Sequence, residues 1–345
     1  MKIYEITIKP LSGFGTPLKG DTIFGHFCWQ LVYDKSISDA ALRDLLSSYG
    51  ERPFAVFSSA YPKYHADGAY RYAFRTPSLP PDKLFPMPET KKERIEKRKE
   101  LKGKRWMIIR EGERVEFFKD LKYLSDQEMV AAVRPYLGEE ARKQIRKSGA
   151  PRVIDFFSQP HNTINRLTGT TGEAPFAPFS LDHEVFLPDI ELALFVGIDE
   201  SVITIELVKV CLERIGEAGF GRDASTGLGR FQLGEDSEVD LGSMGNTAPN
   251  ACYTLSPCVP PEDTCKELYF TPFTRFGRHG DILAKSSNPF KNPVIMADEG
   301  AVLVPEKKDV FLKPYVGKAV TGVSKVEPGT ISQGYSLYLP VRVEV

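Results

Sequence analysis

Residues 219–231, GFGRDASTGLGRF, hold four glycines, two arginines and three small polar residues in thirteen positions. Glycine loses more backbone freedom on folding than any other residue type, so this density needs a reason: bare backbone that something approaches closely. The flanks narrow the choice. From about Val202 to Glu217 the chain reads as a helix with Ile205, Val208, Leu212 and Ile215 as its buried seam, and GRFQLG leaves the motif as a strand. A Walker loop is excluded because no lysine followed by Ser or Thr stands after these glycines. Gly219, Gly221 and Ala224 fit the loose dinucleotide fingerprint G-x-G-x-x-[GA], but that loop leaves a strand and opens a helix, the reverse of the order here. A helix-ending turn accounts for Gly216 or Gly219. It does not account for Arg222 and Arg230 around Ser225 and Thr226, a set of charged donors and hydroxyls that suits a polyanion.

Working outward, Tyr4, Ile6 and Ile8 alternate with Glu5 and Thr7, the pattern of a strand with one buried side. After the loop LSGFGTPLKG, a helix over 21–34 starts where Asp21 can cap its first turn and carries Ile23, Phe24, Phe27, Cys28, Leu31 and Val32 on one stripe. FAVF at 54–57 is a second strand. EVFLP and ELALFVGI read as a strand pair turning at Pro188 and Asp189. The order is β-α-β-β-α-β, the ferredoxin-like one, with a large insertion. In that insertion Lys91 to Arg105 holds nine Lys or Arg against three Glu, either a solvated helix face or a basic arm lying on phosphates; residues 126–149 follow as a charged helix.

The fold class expected is therefore α+β with two ferredoxin-like (RRM-like) domains. The first spans 1–234, with a basic inserted thumb at about 86–148; 235–250 is an acidic linker, and 251–345 is a smaller, β-rich second domain. Lys plus Arg number 45 against 46 Asp plus Glu, so the net charge is −1 and any nucleic-acid site is local. Five cysteines without a C-x-x-C pair argue against a disulfide framework or a zinc knuckle. No signal peptide or long apolar run is visible, which points to a reducing, cytoplasmic location.

The glycine segment matches G-[IF]-G-x(3)-S-[ST]-G-x-G-[RK]-[FL] after the second helix of such a unit, and so resembles the hallmark of the RAMP superfamily of CRISPR-associated RNA-binding proteins. The N-terminal GDTIFGHFCWQL helix, the HNTINRLTG segment and the C-terminal QGYSLYLPV resemble one branch, the Csm complex subunit four family. The resemblance implies a non-catalytic subunit of a type III-A CRISPR effector complex that grips the 5′ tag of the guide RNA. It also implies contacts with the large signalling subunit and with an adjacent RAMP backbone subunit. No cofactor, metal, membrane or DNA-specific site is expected.

On this reading Gly219, Gly221, Gly227 and Gly229 admit a sugar-phosphate backbone, Arg222 and Arg230 pair phosphates, and Ser225 and Thr226 serve phosphate or 2′-hydroxyl groups. Phe220 either stacks on a base or packs beneath the loop. His161, Asn162, Asn165, Arg166 and Thr168 form a second cluster, a tag-reading loop or simply a polar hairpin tip, and Lys19 is a third phosphate candidate. The rival readings are a RAMP endoribonuclease using His26 or His161 as general acid or base, the equivalent capping subunit of a type III-B complex, and a protein scaffold without RNA.

Overall fold

The computed structural model describes residues 1–35, 37–147, 149–172 and 176–344. In chain order its first half contains β1 (Lys2–Pro10), α1 (Gly20–Asp34), α2 (Asp39–Ser48), β2 (Ala55–Ala66), β3 (Ala69–Arg75), α3 (Pro81–Leu84), α4 (Lys91–Lys102), β4 (Lys104–Arg110), β5 (Lys122–Ser125), α5 (Asp126–Val133) and α6 (Glu139–Lys147). There follow β6 (Ile154–His161), β7 (Phe179–Phe186), β8 (Glu191–Ile198), α7 (Ile205–Ala218), β9 (Phe231–Glu238) and α8 (Leu241–Met244).

Seven strands form one antiparallel sheet in the order β5-β4-β3-β2-β8-β1-β9. Its β9-β1-β8-β2 part, with α1 leading from β1 toward β2 and α7 joining β8 to β9, has the split β-α-β connectivity. Tyr4, Ile6 and Ile8 are buried, as their alternation requires. Glu5 and Thr7 are buried too, at 6% and 3% exposure, because the sheet is covered on both faces. Lys63 reaches both of them at 2.7 Å, and the Tyr72 hydroxyl donates to Glu5 at 2.7 Å, so the polar groups satisfy one another. Asp21 does not cap α1: its carboxylate is held by Arg275 through two bonds of 2.6 and 2.8 Å.

The insertion is not a separate thumb. Its β4 and β5 extend the main sheet, with Trp106, Met107 and Ile109 buried in the common core. Helix α4, capped by Thr90, presents its basic run to solvent. The element that stands apart is the ribbon of β6 and β7, paired from Ile154↔Phe186 to His161↔Phe179. β7 therefore pairs with β6 and not with β8, contrary to the expected hairpin.

The expected linker is also structured: β9 runs to Glu238, Leu241 of α8 is buried, and the Asn246 amide donates to the Glu116 carbonyl at 2.7 Å. Beyond it come β10 (Ala251–Thr254), β11 (Cys265–Tyr269), β12 (Pro272–Arg275), β13 (Val294–Ala297), β14 (Val302–Pro305), β15 (Tyr315–Gly317) and β16 (Tyr335–Val341). Five of these form a sheet in the order β11-β14-β10-β16-β15, and β12 pairs with β13. Among the described residues from 251 onward the helical segments are two short 3-10 turns, Asp281–Lys285 and Lys308–Leu312, so a second β-α-β-β-α-β unit is absent from them. The two halves share a core. Tyr253 meets Phe118 and Phe74 at 5.8 and 6.4 Å, and Gln333 bonds both the N–H and the carbonyl of Phe57.

Candidate nucleic-acid interface

Helix α7 ends at Gly219, whose φ of +97° is costly for any residue with a Cβ and whose N–H donates to the Ile215 carbonyl at 2.8 Å. The chain then folds back on itself, and the Phe220 N–H closes the neck on the Gly229 carbonyl at 2.9 Å. A second loop, 11–19, is sewn onto it: Gly229 N–H to Gly13 carbonyl at 2.8 Å, Arg230 N–H to Ser12 Oγ at 2.9 Å and Arg222 N–H to Thr16 Oγ1 at 2.9 Å.

These contacts answer what approaches the bare backbone. A Cβ on Gly221 would lie 2.5 Å from Thr16, one on Gly219 would lie 2.6 Å from the Leu228 carbonyl oxygen, and one on Gly229 would overlap the Phe220 backbone. Three of the four glycines thus admit the protein's own chain, not a nucleic acid. Only at Gly227, with φ +97° and nothing within 4 Å of a Cβ, does the loop face open space.

The crest of the loop is the accessible part. Ser225, Thr226 and Gly227 are exposed, and the Arg230 guanidinium makes no hydrogen bond or ion pair among the described residues. Arg222 is half committed: one terminal nitrogen donates to the Asp182 carbonyl at 2.6 Å and Nε to Asp223 at 3.2 Å, while its side chain stays 43% exposed. Asp223, itself at φ +64°, also meets His183 Nε2 at 3.3 Å, which ties the loop to the base of the β6–β7 ribbon. Ser12, Thr16, Asp182 and His183 are the residues that sequence reasoning missed, since nothing local links them to the glycines.

Phe220 is no stacking platform. It is 1% exposed and its ring lies against His26 with centroids 4.6 Å apart. Burial holds the His26 imidazole down to a pKa of about 4, so it is neutral near neutral pH. Lys19 is not open to a phosphate either: it pairs with Asp298 and, at 2.9 Å, with Glu299, and sits over the Phe273 ring.

In the second cluster Asn162, Arg166 and Thr168 are exposed. Asn165 builds the tip: its Oδ1 accepts from Leu167 N–H at 2.9 Å, and its own N–H donates to the Thr170 carbonyl at 2.9 Å. The His161 ring stacks on Phe179 at 5.3 Å, with Nε2 buried and unbonded. Phe156 and Phe157, 52% and 58% exposed, lie on opposite faces of β6, in a segment whose polar and small residues read as a long loop or hairpin tip. Among the described residues no group of three His, Cys, Asp or Glu is placed to hold a metal, and no helix is long and apolar enough to cross a membrane.

No family model matches this sequence, and no curated protein does either. Solved structures do match, over the whole chain. A chain of the Csm3–Csm4 subcomplex of the type III-A CRISPR-Cas interference complex aligns with a TM-score of 0.52 at 13% identity, covering 99% of both chains. Chains of the Csm1–Csm4 cassette in complex with AMPPNP and with cA4 each give 0.51, at 17% and 15% identity, over 100% of this chain and 99% of theirs. The protein has their fold. Csm4 is the component those assemblies have in common.

Proposed function

We propose that this chain is an RNA-binding subunit of a type III-A CRISPR effector complex. It holds the 5′ tag of the guide RNA and joins the large signalling subunit to a neighbouring RAMP backbone subunit. The observation that carries this reading is the crest of the glycine loop. Ser225, Thr226 and an unobstructed Gly227 stand beside the free guanidinium of Arg230 and the half-free one of Arg222, at the foot of a ribbon with exposed aromatic rings. Single-stranded RNA is gripped by such means: cations, hydroxyls and main-chain N–H groups on its backbone, and rings under its splayed bases.

The role is binding without cleavage. Metal-independent cleavage needs two proton-transfer groups converging on one phosphate. His26 is packed on Phe220 and held neutral by burial, and His161 is stacked on Phe179. The test is to express the full complex with wild-type chain and with Arg222→Ala/Arg230→Ala. The wild type should co-purify with guides of one defined 5′ end, and the double variant should lose most of them. Equal retention would refute the assignment.

A further inference from the structure

Glu184 and Phe186 of β7 line a cleft of about 370 Å³, within the range that accepts a small ligand. Two short stretches of chain join it to the glycine loop. Asp182 and His183 touch the glycine loop while the next residue, Glu184, lines the cleft; Thr16 bonds the glycine loop while Pro17, Leu18 and Lys19 wall the cleft.

The polar groups inside fall into two kinds. Glu299 is fully engaged, by Lys19 at 2.9 Å, Ser59 at 3.1 Å and Arg75 at 3.4 Å. Glu184 is fixed through its backbone, which exchanges two hydrogen bonds with Phe14 at 2.8 and 2.9 Å, yet its carboxyl has no partner among the described residues. Burial pushes that carboxyl above its usual range, the mark of a group lacking the donors it needs. Arg75 and Arg105, each with N–H groups to spare, share the cleft, and Leu18 and Phe186 give it apolar surface.

A ligand matching this set is a flat apolar body with adjacent donors for a carboxylate and acceptors for guanidinium groups. A bare phosphate does not match, because it offers no donor to the Glu184 carboxyl. Guanine does: its N1 and N2 present neighbouring N–H donors to one carboxylate, and O6 and N7 accept from arginine. We propose that this cleft is a guanine socket for one nucleotide of the RNA held on the glycine loop, with Glu184 as the specificity-determining residue. This rests on the RNA-binding reading above.

The test measures fluorescence anisotropy of the full chain with a labelled ten-nucleotide uridine RNA and with the same RNA carrying one central guanosine. The guanosine should tighten binding about tenfold. Glu184→Gln should abolish that gain and leave the all-uridine affinity unchanged. Ser78→Trp, which fills the cleft from its rim, should do the same and covers the case in which Glu184→Gln fails to fold. Arg222→Ala/Arg230→Ala should weaken both RNAs equally. Equal wild-type binding of the two RNAs, a gain that survives either cleft variant, or an equal gain from a central adenosine or cytidine overturns the socket while leaving the cradle standing. Failure of the wild type to bind either RNA removes the cradle and the socket together.

Discussion

The imidazole of His26 lies on the ring of Phe220, centroids 4.6 Å apart and planes inclined by 38°. This contact joins the middle of α1 to the start of the glycine loop, so the loop is anchored in the core by its own second residue.

It also makes stability depend on pH. The His26 pKa falls from 6.5 to about 4 through burial, so below pH 6.5 the unfolded chain takes up a proton that the folded chain refuses. The contribution is fully present above about pH 6.5 and is lost as pH falls toward 4, on the order of 3 kcal/mol in all. Urea unfolding at pH 7 and pH 5 should show about 2 kcal/mol of this loss, and His26→Phe should reduce it. An equal loss in the variant would assign the effect to other groups.

Gly227 and Gly229 play opposite roles in the loop, one facing open space and the other packed against backbone. Gly229→Ala forces a methyl group into the Phe220 backbone and should cost more than about 3 kcal/mol or prevent folding. Gly227→Ala meets nothing and bears only the positive φ, about 1 kcal/mol. Thermal unfolding of the two variants checks the contrast.

Lys19 and Arg230 separate structural from RNA-facing charge. Lys19→Met leaves Asp298 and Glu299 short of their cation and should destabilise the fold by about 3 kcal/mol, with the salt dependence of RNA binding unchanged. Arg230→Ala should leave stability nearly untouched and make the slope of log K against log salt shallower by about 0.7, from near −3.5 for roughly five phosphate contacts. Anisotropy titrations from low to high salt read both slopes.

What the sequence made legible was periodic and local. The apolar stripe of α1, the seam of α7 and the alternation of β1 each carry their own period, and they place β1-α1 and α7-β9 in the chain. What it hid was long-range. Glu5 and Thr7 read as solvent-facing because the cover over their face is built partly by residues some sixty positions on, and Lys63 is what satisfies them. The four glycines read alike, but three of them are explained by contacts within the loop and with residues 11–16, two hundred positions away. Lys19 read as free because its carboxylate partners lie near residue 298. The projecting element was sought in the basic insertion, where charge was conspicuous, while the ribbon of Phe156, Phe157 and Phe179 signalled itself only by lacking a cover.

The central claim is that RNA lies on the crest of the glycine loop, and ultraviolet crosslinking of the assembled complex followed by mass spectrometry tests it most directly. The account predicts RNA adducts on peptides containing residues 222–230 and on the β6–β7 ribbon. Adducts confined to the basic helix α4, with none on the glycine loop, would contradict it.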